Sequence, residues 1–266
     1  MGTKTVKMPV GMQRSWWAPI ATHAENSHPT YGAKVDMGAA RKGYLSITTT
    51  NGSIPGDDIE QLYFERFANA QLDAETDMSD LEVNATIFGH SYGAGVETSG
   101  GSDSAPEGAY AFIEPILLKD KSVIYRATLL YRVTAMQSSE KVEADTRTPG
   151  SFDPKVNAVS YRVMEDNAGD WRAREEFPTL SAAEAWLDGM MGSTGVYKVT
   201  VQTAGSGSVD VPGSAFVASG SNYVITFSTD PVALYDNGTV KTSSIASHKY
   251  TISSIAADHT VVAIWA

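Results

Sequence analysis

At 266 residues the chain is long enough to bury one large core or two small ones without staples, and its lack of cysteine excludes disulfides, thiolate metal sites and cysteine nucleophiles together. Twenty basic against 31 acidic residues give a net charge of −11, and no basic cluster is long enough to track a phosphate backbone, which excludes tight nucleic-acid binding and suits a surface that repels it. Met1 to Val10 holds lysines but no apolar stretch, and no later segment approaches a spanning length, so neither a secretory signal nor membrane contact is expected. Asn84-Ala85-Thr86 and Asn237-Gly238-Thr239 match the glycosylation acceptor pattern and, with no export signal, read as ordinary polar residues.

Trp16-Trp17 is the first informative pair, because adjacent residues of a strand point to opposite faces. One indole is expected in the core and the other at an interface or exposed, with an interface role preferred for one of them and both partly buried within one domain as the alternative. His23 and His28 are spaced by a loop-like Glu25-Asn26-Ser27 and lack a third ligand, so no metal is assigned to them. Asp57-Asp58 with Glu60 resembles a fragment of a calcium loop but lacks its repeated acids, and reads as a solvated turn. Ser79-Asp80-Leu81-Glu82 is a capping box, with Ser79 the cap of a helix on which Leu81, Ala85 and Phe88 recur before Gly89 closes the last turn.

Gly89-His90-Ser91-Tyr92-Gly93 then spells G-x-S-x-G, the nucleophile-elbow pattern of serine hydrolases. An elbow needs a strand before the serine and a helix after it. Here the helix comes first, and Ala94 to Gly108, rich in Gly, Ser and acids, predicts a mobile loop. A triad would also have to recruit His248 or His259 from the far end of the chain. Ser91 is therefore not read as catalytic.

Tyr110 to Leu118 and Ser122 to Val133 flank Lys119-Asp120-Lys121 as a β-hairpin, and Val156 to Met164 with Trp171 to Arg174 form a second across Asp166-Asn167-Ala168-Gly169. Val159, Tyr161 and Val163 share one face of that strand. Thr179 opens a second helix with Trp186 and Leu187 on its apolar side; Gly189 ends it, and it is expected to pack on the preceding sheet. Nearly all the negative excess lies before Tyr197, and Gly189, Gly192 and Gly195 punctuate the chain there. The predicted organisation is a first domain over 1–193 and a second over 194–266. The second reads as short strands, among them Tyr197 to Gln202, Tyr223 to Phe227 and Val261 to Trp265, with Asp236-Asn237-Gly238 as a turn. The fold class is mainly β, with two short helices and a small all-β module at the end.

Taken in order, Val10-Gly11-Met12, Trp16-Trp17-Ala18-Pro19-Ile20, Thr30-Tyr31-Gly32-Ala33, the helix ending Ile87-Phe88-Gly89-His90, Tyr110-Ala111-Phe112, Tyr125 to Val133 and Val156 to Val163 resemble the major tail protein of long-tailed, non-contractile bacteriophages. The resemblance spans roughly Gly11 to Met191. Arg41-Lys42-Gly43-Tyr44 and Asn51 to Asp58 depart from that pattern. The C-terminal module resembles the immunoglobulin-like or bacterial-repeat domains appended to phage structural proteins.

The resemblance implies a tail-tube β-sandwich or barrel that assembles into stacked hexameric rings, a conduit for DNA ejection. Its partners would be copies of itself, a tape-measure protein and tail-end proteins, with DNA only as non-adhering cargo and no cofactor. The protein would be assembled in the host cytoplasm and reside in the virion tail. Glu60, Glu65, Asp73, Glu75 and Asp77 are the candidate lumen acids, with an ordinary solvated strand face as the alternative, and Trp16, Trp17, Ser99, Gly100 and Asp103 the candidate inter-subunit residues. The alternative is a carbohydrate-binding or adhesive protein of two β-domains, which strictly monomeric behaviour would favour. A hydrolase stands third.

Overall fold

The computed structural model describes residues 6–56, 59–77, 80–140, 157–192, 196–210 and 213–266. Asp57-Asp58, the expected cap Ser79 and the expected boundary at Ser193 lie outside these residues. The described residues are mainly β with two α-helices, and the chain's contacts divide it into two compact units, Met1–Phe177 and Pro178–Ala266.

The N-terminal unit runs β1 (Lys7–Pro9), β2 (Gln13–Thr22), β3 (Thr30–Tyr31), β4 (Val35–Asp36), β5 (Ala40–Gly56), β6 (Ile59–Thr76), α1 (Leu81–Phe88), β7 (Ser91–Gly93), β8 (Val96–Thr98), β9 (Glu107–Leu118), β10 (Val123–Ala135), β11 (Asn157–Met164) and β12 (Arg172–Phe177). The main sheet has the order β3-β2-β9-β10-β11-β6-β5, with β1 on β9, β4 on β2 and β12 on β10. The β9–β10 hairpin forms as predicted, with Lys121 at positive φ in its turn.

The second expected hairpin does not form. β11 and β12 both pair with β10, at Arg132 to Ala135 and at Tyr125 to Leu130 respectively, so one edge of β10 is shared end to end. The β9–β10 register shifts between Leu130 and Val133, where β10 passes from one partner to the other. The turn between β11 and β12 is held by Asp166, whose buried carboxylate accepts bonds from the backbone N–H groups of Ala168 and Asp170. The loop therefore turns along β10 instead of folding back on β11.

One apolar cluster fills this unit. Trp17 of β2, Leu72 of β6, Ile87 and Phe88 of α1, Tyr110 of β9, Leu130 of β10 and Tyr161 of β11 meet in it. Val159, Tyr161 and Val163 do share the buried face of β11. The Tyr161 hydroxyl is fully buried without a hydrogen-bond partner among the described residues, and burial pushes its pKa well above the usual phenol value. An unpaired buried hydroxyl costs desolvation that phenylalanine avoids. Tyr161→Phe should thus be neutral or stabilising by up to about 1 kcal/mol, read from denaturant midpoints; a loss above about 1 kcal/mol would show a hydrogen bond is being made.

The C-terminal unit comprises α2 (Leu180–Met190), β13 (Val196–Ala204), β14 (Gly213–Ala218), β15 (Tyr223–Thr226), β16 (Ala233–Asp236), β17 (Thr239–Val240), β18 (Lys249–Ile252) and β19 (His259–Ile264). A five-stranded sheet, β14-β13-β19-β16-β17, and a two-stranded β15-β18 pair share a core that includes Val199, Phe227, Leu234, Tyr250 and Trp265. The first and last strands, β13 and β19, run parallel. The β16–β17 turn has both Asn237 and Gly238 at positive φ, the conformation favoured in two-residue hairpins.

Helix α2 differs from expectation in place and in length. It packs on β13 and β14 of the C-terminal unit, so the boundary falls after Phe177, ahead of the helix. Thr179 caps it, accepting from the Ala182 N–H, but Gly189 does not end it; the helix runs on to Met190. A Cβ at Gly189 would lie 2.0 Å from the Phe216 ring on β14. This glycine serves close approach rather than termination.

Candidate functional site

Strands β5 and β6 are much longer than the sheet they belong to. β11 pairs with β6 only from Ala70 to Thr76, whereas the β5–β6 ladder continues to Gly56 and Ile59. The last anchor is Phe67, which packs on the core and stacks on Trp171 at 4.6 Å between centroids; Arg172 covers the same indole at 4.2 Å. Beyond it, Arg66 to Ile59 has β5 as its only strand partner among the described residues, a two-stranded arm of roughly 26 Å at about 3.3 Å per residue.

The register of the arm is set by a bulge. Thr48 pairs with Asn69 and Thr49 with Phe67, leaving Ala68 extra. Even-numbered Ala70, Leu72 and Ala74 face the core below it, and odd-numbered Phe67 faces the core at it, so the alternation has slipped by one residue. Tyr63 and Phe64, 56% and 45% exposed, then present aromatic rings on opposite faces of the arm. The Phe64 ring lies over Gly52, its cross-strand partner, where a Cβ would be 2.6 Å away.

The same slip separates the candidate lumen acids. Asp73 and Glu75 lie on the outer face of β6; Glu65, beyond the bulge, belongs by alternation to the face of Phe67. Asp73 accepts from Ser160 Oγ at 2.5 Å and Gln71 Nε2 at 2.8 Å, and these bonds, Ser160 first, hold its carboxyl below the usual range. Glu75 lies 3.6 Å from Lys42 on β5. Glu65 accepts from Thr49 Oγ1, and Asp77 from the Ala39 N–H at 2.7 Å, which closes the end of the β5–β6 ladder. Glu60 stands opposite Pro55 near the tip, and its side chain is outside the described set.

The candidate inter-subunit residues fare differently. Trp16 and Trp17 do point to opposite faces of β2, but both are buried within the chain, at 7% and 0% exposure, because sheet packing covers both sides. The Lys34 ammonium lies 4.9 Å above the Trp16 ring. Neither indole is a free contact surface. The segment Ala94 to Gly108 is likewise no open loop: β7 and β8 pair through an Ala94-Gly95 turn with both residues at positive φ. Gly100 and Asp103 close the next turn with an N–H to carboxylate bond of 2.6 Å, and Ser99 Oγ lies 3.3 Å from His90 Nδ1.

No matching family model or curated protein was found.

Around the G-x-S-x-G motif, α1 precedes the serine and strand β7 contains it, the opposite of an elbow. Asp80, not Ser79, caps α1, its carboxylate accepting from the Glu82 and Val83 N–H groups. Gly89 ends the helix at φ 77°. Ser91 is exposed. His23 Nε2 accepts from the Asn167 N–H, while His28 bonds Asp166 at 2.6 Å and stacks on Tyr131. Together they fasten the β2–β3 loop to the β11–β12 turn.

Proposed function

We propose that this chain is a tail-tube subunit, a virion structural protein that self-assembles into stacked hexameric rings forming a conduit for DNA. The observation that carries the reading is the β5–β6 arm. A two-stranded ribbon with exposed aromatics on both faces is marginal in water by itself and gains stability when a neighbour covers it. Among the described residues the main sheet ends on β3 at one side and β5 at the other, edges on which a neighbouring copy could pair. A head-to-tail contact of this kind closes into a ring when its rotation permits.

In this reading the outer-face acids Asp73 and Glu75, with the net charge of −11, keep the passing genome from adhering. The tape-measure protein occupies the channel during assembly and tail-end proteins close it. The C-terminal unit, an immunoglobulin-like module, decorates the outside. Electron microscopy of the purified protein at rising concentration should show rings or hollow tubes with lateral knobs. A monomer at every concentration, also by sedimentation, overturns the reading and favours the adhesive alternative.

A further inference from the structure

The chemistry-bearing residue of the G-x-S-x-G motif is its histidine. Gly89 turns the chain in the left-handed conformation, and His90 N bonds back to Ala85 O, which tucks the imidazole beside α1 against the Phe88 ring. The β7–β8 hairpin brings Glu97 to one side of the ring. Gln137 Nε2 bonds Phe88 O at 2.8 Å, fixing the 3-10 turn Gln137–Ser139 against the end of α1 and placing Glu140 on the other side.

The result is a compact donor set. His90 Nδ1 is 2.7 Å from Glu97 Oε1, Nε2 is 3.7 Å from Glu140 Oε2, and one donor atom of each residue lies within 4.8 Å of the others. Their side chains are 2%, 12% and 27% exposed, so the cluster is half-buried rather than a patch of fully solvated acids. Asn84 reaches both carboxylates, at 3.4 Å and 3.2 Å, and the opposite amide orientation would turn its oxygen on the same point. The charges acting on the imidazole, Glu140, Glu97 and Asp103, are all negative. Two partly desolvated carboxylates against one imidazole leave the cluster short of positive charge.

We propose that His90, Glu97 and Glu140 form a binding site for a divalent cation of the zinc, cobalt or manganese type. Imidazole and carboxylate without thiolate suit these ions. A tetrahedral site needs donors about 3.4 Å apart, so Glu97, 2.7 Å from Nδ1, and Glu140, 3.7 Å from Nε2, must turn toward one ring nitrogen, which releases its proton to solvent. The ion would tie three segments together: the end of α1, the β7–β8 hairpin and the segment after Gln137–Ser139.

The test uses the full chain, stripped with a chelator and titrated at neutral pH with Co2+, followed by its visible absorption, and with Zn2+, followed by calorimetry and thermal melting. One equivalent should bind saturably and raise the melting temperature. Glu97→Gln and Glu140→Gln, which keep the side-chain volume, should each weaken uptake at least about tenfold, as loss of an anionic ligand implies. His248→Ala, at an exposed histidine beside Asp230, should leave it unchanged. Absence of stoichiometric uptake, or uptake that survives both glutamine variants or is lost in His248→Ala, overturns the proposal.

Discussion

Trp17→Ala is expected to destabilise the N-terminal unit by about 3–5 kcal/mol, the range for deleting a large aromatic from a packed core. The indole is fully buried, and the sequence makes a slot for it: a Cβ at Gly108 would fall 2.5 Å from Trp17 Cε2. With backbone on one side and Tyr110 and Leu130 in the same cluster, little can collapse into the space vacated. Denaturant unfolding of the isolated subunit measures the effect. Trp16→Ala should also lower subunit stability, since that ring is 7% exposed and covered by Lys34. An interface indole behaves otherwise, losing assembly at unchanged subunit stability. That outcome for Trp17 would return it to the inter-subunit surface.

The double substitution Tyr63→Asp, Phe64→Asp should abolish ring and tube formation while changing the subunit's own stability by no more than about 0.5 kcal/mol. Both rings are exposed and lie beyond the anchor at Phe67, so the core loses nothing. A carboxylate on each face of the arm would have to be desolvated wherever a neighbour covers it, and charge on an exposed ribbon is a standard obstacle to pairing between chains. Electron microscopy beside thermal melting separates the two effects. Normal tubes from the double variant would remove the arm from the assembly surface. A large fall in melting temperature would place these rings in an intramolecular contact instead.

Local signals in the sequence were legible because their causes are local. The β9–β10 hairpin, the helix over Leu81–Phe88 with Gly89 at its end, the Thr179 cap and the Asn237-Gly238 turn each follow from a few adjacent residues. So does the rejection of an elbow at Ser91, since the order of helix and strand is written along the chain. The alternation of β11 showed that Val159, Tyr161 and Val163 share a face.

Tertiary structure decided whatever depends on partners far apart in sequence. Which strand β11 and β12 pair with is a question about β10, and a turn-like Asp166 to Gly169 reads the same in either case. The helix α2 is amphipathic toward any apolar face, and only the slot that Gly189 leaves for Phe216 assigns it to the C-terminal unit. Alternation correctly sent Trp16 and Trp17 to opposite faces, but whether each face is covered depends on the rest of the sheet. The bulge at Ala68 separated Glu65 from Asp73 and Glu75, because one extra residue reverses every side chain beyond it. The meeting of His90, Glu97 and Glu140 required a helix cap, a hairpin and a distant turn to close on one point. Period-two and period-3.6 patterns thus specify many local elements by themselves, though not the β5–β6 arm or the β7–β8 hairpin, while the faces they cover, and the sites where they converge, are set by long-range pairing.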